Sequence, residues 1–214
     1  MIVTPSLHTG YARSAAESEY PDLWRGLIGA WVPGIDSSPG NLLDLSQRAG
    51  IATIDGAVKE SSRYGTALRF DGSNDYIALP SISALFTTDA TLFLRLKLDV
   101  NTPADGLQTG ITTIGTSASA DHYPFTNGTI YSGVWRNDRI TVGTSTQDRT
   151  SWHTVTIVNT PGTNGWKFWV GTTIVNQSTG ESSVFVTASP QIAQGPGSQN
   201  LDGLISEIFI LNRM

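Results

Sequence analysis

The chain has 214 residues, 39% of them hydrophobic, which is enough to bury one sizeable core. Its net charge of -5 argues against nucleic acid as a partner, because phosphate binding needs clustered Lys and Arg and no segment concentrates the thirteen basic residues. The absence of cysteine excludes disulfides, thiolate metal sites and a cysteine nucleophile, and no apolar run reaches the roughly eighteen residues that a membrane helix needs.

Residues 1–22 differ from the rest of the chain and are predicted to form an N-terminal arm. No sustained period runs through residues 1–12, and Pro21 would end a short helix over residues 12–19. The arm has two interpretations: it is a frayed terminus, or it is a segment that docks on a neighbouring subunit or host particle. Residues 23–214 are predicted to form a single domain. No signal peptide is expected, because the first residues lack a basic segment followed by an apolar one.

From residue 24 onward the pattern is strand, turn, strand. In Ala90–Val100, leucines at alternate positions share one face, while the residues between them, among them Phe93 and Arg95, share the other. This period of two is typical of a strand with one buried and one wetter face. Residues 152–159 alternate less cleanly. Residues 204–211 are apolar on both faces, which predicts a central strand covered on both sides.

Two short apolar runs, Ala67–Phe70 and Tyr76–Leu79, flank the turn formers of Asp71–Asp75. Gly, Asn and Asp tolerate the positive φ angles of tight turns, so the pattern predicts a hairpin in which the two runs pair. Similar turn signals recur along the chain, and helix is nearly absent, with one turn predicted over residues 81–86. Many short strands punctuated in this way indicate an all-β sandwich or jelly roll.

Several segments resemble the signature of laminin G-like, concanavalin A-like jelly-roll domains. They are the first predicted strand Trp24–Trp31, the segment Tyr64–Pro80, the pair of predicted strands 151–157 and 166–170, and the last predicted strand Leu201–Arg213. The resemblance implies an all-β, two-sheet antiparallel jelly-roll sandwich with a short N-terminal arm. It says little about activity, because this fold hosts lectins, hydrolases, adhesion modules and virion proteins.

The sequence contains no motif typical of a catalytic pair of carboxylates. A retaining glycoside hydrolase needs two carboxyl groups about 5 Å apart, which on one strand means acidic residues two or four positions apart. Glu17 and Glu19 have this spacing but precede every predicted strand, and Glu207 stands alone in its strand. We expect Glu207 to cap a loop or pair with an arginine, and His153 to be a neutral rim or core residue. We therefore expect no enzymatic activity.

Calcium is the ion that the turns would suit, because they are rich in hard oxygen ligands and many laminin G-like domains bind calcium. No Asp-x-Asp-x-Asp-Gly loop occurs, so the metal ligands stay unassigned. Asp71 and Asp75 are expected to hydrogen-bond within their own turn, and Asp44 and Asp202 are alternatives from neighbouring loops. No other cofactor is expected.

Four aromatic residues lie among turn formers between residues 121 and 136: Tyr123, Phe125, Tyr131 and Trp135. Aromatic rings at the rim of a domain stack on sugar rings or anchor protein contacts, so these four are the candidate ligand-binding residues. The alternative is that the rings cover the end of the sandwich.

The amino-acid sequence of residues 122–131, together with that of residues 23–31, also resembles laminin G-like proteins encoded by tailed bacteriophages. That resemblance implies a non-catalytic structural protein on the virion surface (capsid decoration, head fibre or tail accessory) with a glycan-binding or adhesion role. The arm would then bind other virion proteins, and the chain is expected to be a homo-oligomer. A cellular carbohydrate-binding or adhesion module is the alternative, and a glycan hydrolase is the less favoured one.

Overall fold

The fold is seen in a computed structural model, which describes residues 25–35, 39–82, 90–101, 110–112, 121–122, 130–132, 140–142, 148–159, 166–177, 190–195 and 199–212. The predicted arm, residues 1–22, lies outside these ranges. Within them every regular element is a β-strand. No helix long and apolar enough to cross a membrane occurs in this part of the chain.

The strands are numbered in chain order. They are β1 (Leu27–Trp31), β2 (Asn41–Leu42), β3 (Ala52–Asp55), β4 (Val58–Ser62), β5 (Gly65–Asp71), β6 (Tyr76–Ala78), β7 (Ala90–Leu98), β8 (Gly110–Thr112), β9 (Asp121–His122), β10 (Ile130–Ser132), β11 (Ile140–Val142), β12 (His153–Asn159), β13 (Trp166–Val170), β14 (Thr173–Gln177), β15 (Gln191–Ile192), β16 (Gln194–Gly195), β17 (Gln199–Asn200) and β18 (Asp202–Leu211).

Two eight-stranded antiparallel sheets form the body of the described chain. In the first, which we call the front sheet, the order is β14-β13-β12-β7-β18-β5-β4, and β1 also pairs with β18. In the second, the back sheet, the order is β11-β10-β9-β8-β15-β6-β3-β2, and β16 and β17 form a separate ribbon. The predicted all-β jelly-roll sandwich of two antiparallel sheets is confirmed.

The core lies between the two sheets, and side-chain alternation along each strand defines it. Along β7 the leucines at positions 92, 94, 96 and 98 are buried, while the residues between them are half-buried on the outer side. The strand predicted over Ala90–Val100 is thus confirmed, with its end at Leu98. The largest fully buried side chains from the two layers are Trp31, Phe70, Phe168, Ile28, Leu42, Leu68, Ile77, Ile82, Leu92, Leu94 and Leu96.

The hairpin predicted across Asp71–Asp75 is wrong. β5 belongs to the front sheet, where it pairs with β4 and β18, whereas β6 belongs to the back sheet, where it pairs with β3 and β15. The turn therefore carries the chain from one layer to the other, and Phe70 and Ile77 enter the core from opposite sides. The turn signal itself was correct, since Gly72 has a φ of 78°.

Strand β18 is central, as predicted, but the cover expected on both of its faces is incomplete on the outer one, where Leu204, opposite Lys97, is buried and later residues are not. β7 pairs with one edge of β18, and β5 and β1 share the other edge. Ile205, Ile208 and Ile210 are buried in the core, whereas Phe209 and Leu211 are only half-buried on the outer side. The sequence could not reveal this difference, because both faces of the strand are apolar.

Candidate functional site

The outer face of the front sheet carries a groove with a volume of about 510 Å³. Directly opposed residues of an antiparallel sheet share a face, so cross-strand partners can be followed from strand to strand. Phe209 of β18 lies opposite Phe93 of β7, and Phe93 lies opposite Thr156 of β12. Thr156 in turn lies opposite Trp169 of β13. These partners form a row across four strands that contains three aromatic side chains, which we call the aromatic row.

Phe93 and Phe209 form the floor of the groove. Their ring centroids are 5.8 Å apart, with the planes tilted by 43°. Trp169 is half-buried on the same face and lies roughly 10 Å from Phe93, since neighbouring strands are about 4.8 Å apart. The row therefore presents flat apolar surfaces along a line that crosses the strands.

An ion pair lies at one end of the groove. The Nε of Arg95 donates a hydrogen bond of 3.0 Å to Oε2 of Glu207, and about a quarter of each side chain is exposed. The arginine-pairing role predicted for Glu207 is thus confirmed. A guanidinium has five N–H donors and a carboxylate two acceptor oxygens. A pair joined through one such bond keeps further donors and acceptors for a ligand.

The tip of the β4–β5 hairpin supports Arg95. The Cζ of Arg95 lies 4.6 Å from the centre of the Tyr64 ring, and the Cζ of Arg63 lies 4.7 Å from it. Trp152 contacts the same ring edge to face, with 5.5 Å between centroids. A hydrogen bond from Arg63 lowers the pKa of Tyr64. These contacts orient the guanidinium of Arg95 at the border of the groove.

The opposite long side of the groove is aliphatic. Two of its backbone N–H groups have partners within the protein: the N–H of Ala30 donates to Oδ1 of Asp44 at 2.9 Å, and the N–H of Leu45 donates to the carbonyl of Ala30 at 2.8 Å. We call this side the aliphatic wall; its side chains are Leu27, Ala30, Val32, Leu45 and Leu211.

None of the aromatic residues predicted from the sequence is among the described residues that line this groove. Tyr123, Phe125 and Trp135 lie outside the described residues. Tyr131 belongs to β10 of the back sheet, opposite His122, and only its strand position is described. Their role in ligand binding stays a prediction. The groove was missed because its residues come from distant strands and each looks like an ordinary strand residue.

Three of the four aspartates considered as calcium ligands have hydrogen-bond partners within the protein. Both oxygens of the buried Asp44 accept hydrogen bonds from the loop at residues 46–50. Asp75 accepts from the N–H of Asp71 at 3.0 Å, and Asp71 accepts from the N–H of Ser73 at 2.8 Å. The turn role expected for Asp71 and Asp75 is thus confirmed. No group of three or more His, Asp or Glu in the described ranges is arranged to hold a metal ion.

A carboxylate pair that the sequence did not reveal lies near the end of the front sheet. Asp71 of β5 is directly opposite Asp202 of β18, and Asp99 joins them, because its N–H donates to the carbonyl of Asp202 at 3.2 Å. Burial, with repulsion from Asp99, raises the pKa of Asp202. The spacing rule for a single strand could not find this pair, because its members belong to strands that are far apart in the chain.

His153 has the neutral character expected of it. The side chain is half-buried, and its Nδ1 lies 2.7 Å from the carbonyl of Ser151. Burial lowers the pKa of His153, which favours the uncharged imidazole at neutral pH. His153 lies opposite Leu96, on the same side of β12 as the buried Val155.

Comparison with solved structures agrees with this fold. Domain 4 of AbnA, a GH43 extracellular arabinanase from Geobacillus stearothermophilus in complex with arabinotriose, has a TM-score of 0.67 and 17% identity over 86% of this chain and 91% of that chain. Trypanosoma rangeli sialidase has a TM-score of 0.64 and 15% identity, over 88% of this chain and 30% of the sialidase. The receptor binding domain of botulinum neurotoxin mosaic serotype C/D has a TM-score of 0.64 and 14% identity, over 88% of this chain and 48% of that one. No family model and no curated protein matches the sequence.

The expectation that the chain is not an enzyme is contradicted by these similarities. The similar structures come from an arabinanase and from sialidases, as well as from a receptor-binding domain. The absence of a recognisable motif in the sequence was therefore an insufficient ground for excluding catalysis. At these identities the likeness establishes the fold: the chain is a jelly-roll β-sandwich whose structural neighbours include glycan-binding and glycan-processing proteins.

Proposed function

We propose that this chain binds a glycan in the groove on the outer face of the front sheet. The observation that carries the proposal is the pair of rings of Phe209 and Phe93, which line the groove beside the Arg95–Glu207 ion pair, with Trp169 further along the aromatic row. A sugar needs both kinds of surface, because its ring faces pack on aromatic rings while its hydroxyl groups hydrogen-bond to charged side chains. The arabinotriose complex of a domain with the same fold supports this choice of ligand class.

A glycan array followed by titration of the bound glycans tests the proposal. Phe93→Ala and Phe209→Ala should each weaken binding by up to about tenfold, because stacking on one ring contributes on the order of 0.5–1.5 kcal/mol. Ile51→Ala is the matched control, since Ile51 is apolar and 59% exposed but does not line the groove. A wild-type chain that binds no glycan, or a control that loses as much affinity as the two variants, would contradict the proposal.

We further propose that the binding face is displayed on a bacteriophage virion. The resemblance of residues 23–31 and 122–131 to phage-encoded laminin G-like proteins supports this location. Many copies on one particle would make weak individual affinities useful through effective concentration. Mass spectrometry of purified particles should detect the chain, and deletion of residues 2–22 should abolish its incorporation. Unchanged incorporation of the deleted form would remove the anchoring role of the arm.

Glycan cleavage on the same sheet is the second candidate function. The observation that favours it is the cross-strand pair Asp71–Asp202, in which one carboxyl has a raised pKa. A general acid needs a raised pKa, and a nearby second carboxylate supplies the base or nucleophile. Turnover of an array-positive polysaccharide should then be lost in Asp202→Asn while binding is retained. Turnover that survives in this variant would remove the pair from the reaction.

A further inference from the structure

The two long sides of the groove offer a bound sugar different chemistry. Beside the groove, Thr154 and Thr156 of β12 lie opposite Arg95 and Phe93 and are half-buried on the same outer face, where their hydroxyl groups can donate and accept hydrogen bonds. On the other side the aliphatic wall presents hydrocarbon, except near Leu211, where the directly opposed Thr91 also lines the groove and brings a hydroxyl group. A sugar ring lying on the floor of the groove therefore has one edge toward hydroxyl groups and one edge toward the wall.

The main-chain groups of the aliphatic wall leave little for a ligand to bind. The N–H of Ala30 is bound to Asp44, and the carbonyl of Ala30 accepts from the N–H of Leu45. The carbonyl of Val32 accepts from the N–H of Ile35 at 3.0 Å. Each of these groups has its partner inside the protein. A hydroxyl group directed at the wall around Ala30 and Val32, away from Thr91, would therefore give up its bonds to water without gaining one of these main-chain groups as a replacement.

Burying a hydroxyl group without a partner is unfavourable, whereas burying a methyl group on hydrocarbon is favourable. The wall should therefore discriminate between two sugars that differ only in this substituent. Apolar pockets separate ligands that differ by one methylene by about 10–200-fold. Because the groove is open to solvent, the lower end of that range, about tenfold, is the expected preference.

We propose that the glycan bound in this groove carries a substituent that ends in a methyl group where a common hexose has one that ends in a hydroxyl, and that this methyl group packs on the aliphatic wall. The inference rests on the proposed glycan binding and specifies its ligand class. Two kinds of sugar supply such a group: 6-deoxy sugars and acetylated sugars. In both cases the sugar ring lies on Phe93 and Phe209, with polar groups toward Arg95 and Glu207.

Matched pairs of free sugars, titrated into the full chain and followed by NMR, test the proposal. L-Fucose and L-galactose differ only in the hydroxyl group at carbon 6. N-Acetylglucosamine and glucose differ in the acetamido group. The methyl-bearing member of at least one pair should bind about tenfold more tightly, and which pair shows the preference identifies the source of the methyl group. Equal affinity within both pairs would overturn this inference and leave glycan binding intact, whereas no binding by any member or on the array would overturn both.

A substitution in the wall provides a second test. Val32→Thr places a hydroxyl group in the wall and should reduce the preference for the methyl-bearing sugar by several-fold, since the competing hydroxyl then finds a partner. Ile51→Thr makes the same kind of change at an exposed position outside the groove and should leave the preference unchanged. An unaltered preference in Val32→Thr would contradict contact with the wall. If that variant does not fold, the paired titrations on the wild-type chain decide alone.

Discussion

A single carboxylate organises the loop behind the aliphatic wall. Asp44 is 3% exposed, and its two oxygens accept hydrogen bonds from the backbone N–H groups of Ala30 and of residues 46 and 48–50. Asp44→Asn turns an amide NH2 toward several of these donors and should lower the free energy of unfolding by about 2–4 kcal/mol. Urea denaturation measures the loss. The exposed Asp55→Asn serves as control and should change stability by less than about 1 kcal/mol; equal losses would contradict the role given to Asp44.

Two other aspartates should respond to pH in opposite directions. Burial, with repulsion from Asp71 and Asp55, raises the pKa of Asp75. Hydrogen bonds from Ser151 and Thr150 lower the pKa of Asp148 to about 2. The folded state therefore holds the proton of Asp75 more tightly than the unfolded chain does. It holds the proton of Asp148 less tightly.

The signs of the two effects follow from this linkage. The contribution of Asp75 to the free energy of unfolding is complete below a pH of about 3.9 and is lost as the pH rises through the pKa of Asp75 in the folded protein. The contribution of Asp148 to the free energy of unfolding is present above a pH of about 3.9 and is lost as the pH falls toward 2. Asp75→Asn should be more stable than wild type at pH 7 and equal to it near pH 3. Asp148→Asn should be less stable at pH 7, with the difference vanishing near pH 2. Urea titrations at these pH values would contradict the assignment if both variants shifted in the same direction.

At the scale of elements, alternation along a strand could be predicted and pairing between strands could not. The period of two in β7 predicted its first residue and its wet face, while the strand ends at Leu98, two residues before the predicted end. The turn at Asp71–Asp75 was equally clear, yet β5 and β6 lie in different sheets. A turn of Gly, Asn and Asp supports a tight hairpin and a crossing between layers alike, because both need a positive φ. Which of the two forms depends on partners that are distant in the chain, such as β18.

Strand β1 contains a close approach that should make it sensitive to one added methyl group. A Cβ at Gly29 would lie 2.2 Å from Cη2 of Trp31, and the ring of Trp31 is fully buried, with its Nε1 donating to the carbonyl of Gly50 at 3.1 Å. Gly29→Ala should therefore cost about 1–3 kcal/mol through overpacking, measured by denaturation with tryptophan fluorescence. Gly34→Ala is the control, since its Cβ would meet Thr66 at an ordinary 3.4 Å. Equal stability of the two variants would mean that the Trp31 ring can shift freely.

At the scale of the whole molecule, the groove follows from the strand order. Its floor joins β7 to β18, and its wall adds β1 together with Leu45. The sequence predicted that Phe93 and Arg95 share the wetter face of their strand. It gave no means of predicting that Phe209 and Glu207 would lie opposite them, because that register is set by core packing of the two sheets. The sequence instead predicted a binding site at the aromatic cluster of residues 121–136, because the members of that cluster are neighbours in the chain.

The division of the molecule into a core and a binding face can be tested on two adjacent residues of β18. Ile208 points into the core and is fully buried, whereas Phe209 is half-buried on the floor of the groove. Ile208→Ala should lower the free energy of unfolding by about 2–5 kcal/mol, since it leaves a cavity between the sheets, and the folded fraction should bind glycan as the wild type does. Phe209→Ala should cost about 1 kcal/mol in stability and reduce glycan affinity by up to about tenfold.

Urea denaturation and glycan titration on both variants separate the two effects. If Phe209→Ala destabilised the protein as much as Ile208→Ala, the outer face of β18 would have to be packed in solution against something as apolar as the core. The groove would then be closed to a sugar. If instead the two variants differ as expected, stability and binding belong to opposite faces of one strand. Substitutions along the outer face could then alter the ligand without unfolding the sandwich.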